Sequence, residues 1–194
     1  MSEQEPLIRK VLGTNFLTLS LVKLTIDEDP GTATTVTCKL MEGDQVVEVA
    51  GTGVGVVDAI YNGLVDRYGR EYQSLKTIQI VGFQLSADMA SKQAKVGVDA
   101  VGKVTLEVVN SEHKYFSFTD ESRSVTTSSA RAVIQCVQYF VNAERAFLTL
   151  YHARRDALAR GREDLVSRYT AELAEVVEST SYAEVIANIR KELS

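Results

Sequence analysis

Apolar and polar residues alternate through the first part of the chain. Val36, Cys38 and Leu40 alternate with Thr35, Thr37 and Lys39, the period of two that a strand with one buried face requires. Glu42-Gly43-Asp44 then supplies a turn, and Val47 and Val49 open a second strand beyond it. Upstream, Phe16 to Ile26 is a further extended run whose alternation changes phase near Leu21-Val22, which predicts a bulge or a bend. After Gly51-Thr52-Gly53-Val54-Gly55 the period becomes helical. Val57, Tyr61, Leu64, Val65 and Tyr68 make one apolar stripe, and Gly69 reads as its C′ residue.

The same order then returns. Leu75 to Phe83 reads as extended, and Val104, Leu106 and Val108 alternate with Lys103, Thr105 and Glu107. Asn110-Ser111-Glu112 makes the turn, Phe116 and Phe118 mark the next strand, and a polar loop through Asp120-Glu121-Ser122-Arg123-Ser124 leads into a helix striped by Val133, Ile134, Val137 and Val141. Val36, Cys38 and Leu40 map onto Val104, Leu106 and Val108, and Leu64, Val65 and Tyr68 map onto Val133, Ile134 and Val137. One extra residue in the second turn reconciles the two offsets. The pattern predicts an α+β fold of two pseudo-repeated βββα units, about residues 12–70 and 71–142. Neither unit buries enough alone, so the two are expected to pair. Residues 143–194 read as a helical extension. Phe147, Leu148 and Tyr151 carry the stripe toward Ala159, Gly161 breaks it, and Leu165, Tyr169, Leu173, Val176 and Val177 define another helix. Ser181 is placed to cap a last helix carrying Val185, Ile186, Ile189 and Leu193.

Composition narrows the function classes. With 194 residues the chain can bury a core without disulfides or metals. No run of about 18 uncharged apolar residues exists, which argues against a membrane span. The start, Met1-Ser2-Glu3-Gln4-Glu5, is acidic and polar, unlike a secretory signal, so a cytoplasmic address is expected. A net charge of −5 disfavours a general nucleic-acid binder. The local exception, Arg154, Arg155, Arg160 and Arg162, reads as a solvated helix face around Gly161. Cys38 and Cys136 sit on apolar positions and read as buried reduced thiols. His113 and His152 lie in different elements, so neither a metal site nor a Ser-His-acid triad is expected. No cofactor is called for: Gly53-Val54-Gly55 followed by Asp58 lacks the third glycine and the βαβ context of a dinucleotide loop.

Three segments resemble one family. Gly53-Val54-Gly55-Val56-Val57-Asp58-Ala59 is similar to the Gly-x-Gly-Pro-Val-Asp-Ala signature of the C-terminal regulatory and dimerisation domain of the α-isopropylmalate/citramalate synthases. Gly97-Val98-Asp99-Ala100 resembles that domain's Gly-Thr-Asp-Ala strand entry. Ser124 to Gln138, with Ser129, Arg131 and Ala132 retained, resembles its second helix. The resemblance spans roughly residues 12–142, and the family's fold is itself a pair of βββα units. The departures are Val56 for proline, Ser124 for aspartate, Thr127 for glutamate and Gln138 for asparagine. The family's catalytic (β/α)₈ barrel has no room here, and its His-x-His metal pair is absent, so the chain alone is not expected to be an enzyme.

By that resemblance the expected activity is that of a homodimeric regulatory module binding leucine, isoleucine or a related small acid, acting in trans on a synthase catalytic subunit. The two strand-to-helix loops offer two helix N-termini, which suit a carboxylate. Gly53, Gly55 and Asp58 are the candidates in the first loop, with Tyr61 lending an apolar wall. Ser122, Ser124 and Thr126 are their second-loop equivalents. Glycine N–H groups and hydroxyls would hold the carboxylate, and Asp58 the ammonium. The same residues serve equally as turn formers and caps. The alternative is a structural or interaction protein that keeps the fold and has lost the ligand site, with the helical tail as its working surface.

Overall fold

The computed structural model describes residues 4–29, 31–87 and 101–177. The chain opens with a short helix, α1 (Glu5–Leu12), that the strand-dominated pattern does not announce. Pro6 sits in its first turn, where a missing N–H costs nothing, and Ile8 and Leu12 are its buried face. Two antiparallel meanders follow. The first is β1 (Leu19–Glu28), β2 (Thr34–Glu42) and β3 (Gln45–Gly53). The second is β4 (Gln79–Ala87), β5 (Gly102–Val109) and β6 (Tyr115–Ser122). Helix α2 (Val56–Tyr68) follows β3, α3 (Val125–Ala159) follows β6, and α4 (Glu163–Val177) closes the described chain.

The phase change near Leu21-Val22 is a β-bulge. The β1–β2 register runs Leu21 opposite Leu40 and then Lys23 opposite Lys39, leaving Val22 unpaired. The second sheet repeats it: Ile80 faces Val108, Gly82 faces Glu107, and Val81 is left over. The offset that carries Val36 onto Val104 also carries Leu40 onto Val108, so the two bulges are equivalent. The repeat therefore extends to an irregularity of the backbone, and the two units form an α+β molecule of βββα plus βββα.

Three details differ from the pattern. The segment Leu75–Phe83 does not enter its strand at once. Residues Gln73–Lys76 form a 3₁₀ turn, and β4 begins at Gln79. The cause is Glu144 of α3, buried at 1% exposure, whose carboxylate accepts from Gln73 N (3.2 Å), Ser74 N (3.0 Å) and Ser74 Oγ (2.5 Å). Gly69 ends α2 in a right-handed conformation (φ −71°) rather than as a left-handed C′ residue, with its N–H donating to the Val65 carbonyl at 2.7 Å. The polar stretch after Phe118 is strand as far as Ser122. Gly97–Ala100 and the helix expected after Ser181 lie outside the described residues.

The core is the inward face of both central strands, Val36, Cys38 and Leu40 on β2 and Val104, Leu106 and Val108 on β5, all exposed by 2% or less. Helix α2 covers β3 and β2 with Ala59, Ile60 and Leu64, and α3 covers β5 and β6 with Val133, Val137 and Phe140. Each such aliphatic or aromatic side chain contributes about 1.5–3 kcal/mol by leaving water. Helix α3 continues unbroken for 35 residues. Its later turns lie against β1, α1 and α4, and Gly161 at φ +67° lets α4 fold back on it. Two of its amides hold the start of the first sheet. Leu17 N donates to Asn142 Oδ1 (2.8 Å), Asn142 Nδ2 donates to Leu17 O (2.8 Å), and Leu19 N donates to Gln138 Oε1 (2.7 Å).

Candidate functional site

The starts of α2 and α3 share one hollow of about 490 Å³, lined by Gly55, Val56, Val57 and Asp58 at the start of α2, Val125 and Ser129 at the start of α3, and Ile80 and Phe83 of β4. The internal repeat brings this about, because equivalent helices in packed units present their N-termini side by side. The walls are mostly aliphatic and aromatic, and the polar groups sit at the helix starts. There the unpaired N–H groups and the positive end of each helix dipole favour an anion.

Gly55 is the N-cap of α2 in an extended conformation (φ −157°), and a β-carbon there would meet nothing within 4 Å. Its Cα side is therefore open space. Gly53 is different: a β-carbon would lie 2.5 Å from Ala59 N and 2.6 Å from Asp58 Oδ2, so this glycine lets strand and helix touch. Asp58 is exposed at the third helical position. Its Oδ2 accepts from Val54 N at 3.0 Å, reaching back across the helix start as a capping carboxylate does. Its other oxygen has no hydrogen bond among those described, so Asp58 has capacity left for a ligand.

Tyr61 is carried elsewhere. It lies about a turn and a half from the helix start, and its hydroxyl donates to Leu75 O at 2.7 Å, fastening α2 to the 3₁₀ turn. Burial, with the neighbouring Cys136 thiol second, pushes its phenol far above the ordinary range. Ser122, Ser124 and Thr126 also stand outside the lining. Ser124 is the N-cap of α3 and accepts from Thr127 N (3.2 Å), Ser122 Oγ donates to Ser124 O (2.8 Å), Ser128 Oγ donates to Ser122 Oγ (2.8 Å), and Ser124 and Thr126 hydroxyls meet at 3.0 Å. These hydroxyls are engaged with one another and with the helix end.

The residues that sequence reasoning missed are Val56, Val57, Ile80, Phe83, Val125 and Ser129. Val125 and Ser129 sit one turn apart at the start of the family-like helix, and Ser129 Oγ donates to Val125 O at 2.8 Å. Ile80 and Phe83 straddle the second bulge, which only the register reveals.

A family model, the LeuA allosteric (dimerisation) domain, matches residues 2–141. The chain belongs to that family. A search of curated proteins returns no match. The matching model is that of a regulatory and dimerisation domain. Cys38 and Cys136 are buried free thiols, with burial raising Cys38 to about 11 and Cys136 further still. Among the described residues no group of His, Cys, Asp and Glu is arranged to hold a metal ion, and no helix is long and apolar enough to cross a membrane. In the arginine-rich turn of this LeuA-type chain, two of the four arginines pair with neighbouring carboxylates. Arg160 pairs with Asp156 at 2.7 Å and Arg162 with Asp164 at 2.7 Å, while Arg154 donates to Thr170 Oγ1 at 2.9 Å.

Proposed function

We propose that this LeuA-type chain is a homodimeric regulatory module that binds a branched-chain amino acid or a related small acid in the hollow between the starts of α2 and α3. The observation that carries this reading is the convergence of the starts of α2 and α3 on one mostly apolar space. The backbone N–H groups at Gly55 and at the start of α3 take the carboxylate, Asp58 takes the ammonium, and Val57, Ile80, Phe83 and Val125 take the aliphatic side chain. On this reading the module acts on a synthase catalytic subunit in trans.

Dimerisation draws support from the same face. Phe83 and Val125, which line the hollow, and Leu85 beside them are exposed at 39–53%. Gly102 sits against both Val125 and Leu85, which makes the patch continuous with the hollow. An apolar surface of this kind marks an interaction site. A second reading, a module whose ligand site is lost, is favoured by the mutual engagement of Ser122, Ser124 and Thr126.

Titration calorimetry with leucine, isoleucine, valine and their 2-oxo acids separates the two. A bound amino acid whose affinity falls roughly tenfold or more in Asp58→Asn, as loss of one charge-assisted contact implies, supports the regulatory reading. Silence across the whole set sinks it in favour of the second.

A further inference from the structure

Among the described residues four strands end a sheet, and three have edges that are kinked or covered. Bulges at Val22 and Val81, in the pairings with β2 and β5, kink the edge strands β1 and β4. The edge of β3 is closed by its own helix: Asn62 Nδ2 donates to Thr52 O at 3.0 Å, and Gly63 abuts the Ala50 carbonyl so closely that a β-carbon would stand 2.7 Å from it. The remaining strand, β6, pairs with β5 in unbroken register from Tyr115 opposite Val109 to Ser122 opposite Gly102, with no bulge and no proline.

The outer edge of β6, unpaired among the described residues, opens into a groove of about 620 Å³. Every residue from Lys114 to Thr119 lines it. Side chains of a strand alternate between two faces, so a space touching consecutive residues must touch the strand's edge. Asn110 N donates to Lys114 O at 3.1 Å, which turns the Lys114 carbonyl toward β5. The alternation of an antiparallel ladder then leaves the N–H and C=O groups of Tyr115, Ser117 and Thr119 pointing outward into the groove. Opposite stand Glu5 and Ile8 of α1 with Phe16, and Gln135, Gln138 and Tyr139 of α3 line the space as well.

From this geometry we infer that the groove is a strand-addition site: a single extended segment of a partner polypeptide enters it and becomes the fourth strand of the second sheet. The ligand chemistry is main-chain amide, because unpaired amide and carbonyl groups of a strand edge are satisfied by another strand. Glu5 and Ile8 of α1 share the groove with this edge, so the inferred occupant is one extended segment lying between them. The edge run of five residues, Tyr115–Thr119, matches an incoming segment of about 17 Å at roughly 3.4 Å per residue. On its inner face that segment carries small aliphatic side chains at alternate positions, over Ile8, Phe16 and Tyr139. This inference is independent of the amino-acid hollow, which lies at the helix N-termini.

The test uses the full chain and a displayed library of random linear peptides. Enriched peptides are expected to bind the wild type, to slow hydrogen exchange at the Ser117 and Thr119 amides, and to bind Ser117→Pro roughly tenfold or more weakly, as loss of one or two strand hydrogen bonds implies. Thr119→Pro repeats the block at a second outward position, and Gln135→Trp fills the groove without touching the strand, so one poorly folded variant does not decide the matter. Three results overturn the inference: no peptide is enriched, the enriched peptides are indifferent to all three substitutions, or Ser117 and Thr119 amides are already protected in the peptide-free protein. The last would mean that the chain's own residues or a second copy fill the groove.

Discussion

Glu144 holds the two repeats in register through a few atoms. It is a buried carboxylate on α3, and its two oxygens accept the Gln73 and Ser74 amides and the Ser74 hydroxyl at the junction between units. Replacing it with glutamine keeps the shape but turns an N–H₂ toward donors, leaving buried amides unpaired. Glu144→Gln is expected to cost about 1–3 kcal/mol in urea denaturation, and Ser74→Ala, which removes only the hydroxyl bond, less. Equal stability of Glu144→Gln and wild type would show that the carboxylate is dispensable. Glu42 offers a pH-dependent counterpart. Burial works against its charge, but hydrogen bonds from Arg67 (2.7 Å) and Tyr68 (2.9 Å) and the charges of Arg67 and Arg145 prevail and hold it below its ordinary value. A depressed carboxylate stabilises the fold above its unfolded pKa of about 4.3, and that contribution is lost as pH falls through the lower folded value. Acid titrations followed by circular dichroism should therefore show a shallower decline below about pH 4.3 in Glu42→Gln than in the wild type. Parallel curves would remove Glu42 from the account.

Among the elements, the tightest joint is that of β3 with α2. A β-carbon on Gly51 would lie 2.1 Å from the Ala59 carbonyl oxygen, and one on Gly63 would lie 2.7 Å from the Ala50 oxygen. Both obstacles are backbone, so strand and helix must separate. Gly63→Ala is expected to destabilise by roughly 1–3 kcal/mol despite alanine's better helix propensity. Gly55→Ala, extended and with open space around it, should stay within about 0.5 kcal/mol of wild type in the same thermal melts. Elements whose apolar period is long or doubled were legible before any coordinates. Val36–Leu40 and Val104–Val108 announced the central strands, the phase slip at Leu21-Val22 announced a bulge, and the stripe through Phe147 and Tyr151 announced the length of α3. What escaped were elements fixed by contacts distant in sequence. The 3₁₀ turn at Gln73–Lys76 exists because Glu144 reaches it from 70 positions away. The two turns of α1 give only Leu7, Ile8, Val11 and Leu12 to a pattern reader, and α3 and α4 are what they pack against.

At the scale of the whole molecule the candidate site was legible in its loops but not in its walls. Gly55 and Asp58, at the start of α2, line the hollow, whereas Gly53 lies outside the lining, Tyr61 turns to the 3₁₀ segment and the Ser122–Thr126 hydroxyls cap α3. Phe83 and Ile80 arrive from a strand whose inner face the bulge resets, a matter of register rather than composition. That inner face also raises the question of assembly. Leu24 and Ile26 of β1 are half-buried, and α3 lies against their strand. Their equivalents on β4, opposite Leu106 and Val104 in the same way, are Phe83 and Leu85, and these stand 43% and 53% exposed. Helix α2 has only 13 residues, so it ends before it can do for β4 what α3 does for β1. A second copy supplies the missing cover most simply, with an interface of about 1,200–2,000 Å² in total expected for a stable pair. Sedimentation should find the wild type dimeric and the double variant Phe83→Asp with Leu85→Lys monomeric, its circular dichroism unchanged because both side chains are already partly in water. A wild type that stays monomeric at every concentration removes the dimer, and a double variant that still pairs moves the interface off β4. Calorimetry on a monomeric variant then decides how site and assembly relate. Because Phe83 itself lines the hollow, this comparison uses a monomeric Leu85→Lys variant with Phe83 intact: retained amino-acid binding would make the hollow complete within one chain, and lost binding would make dimerisation part of the site.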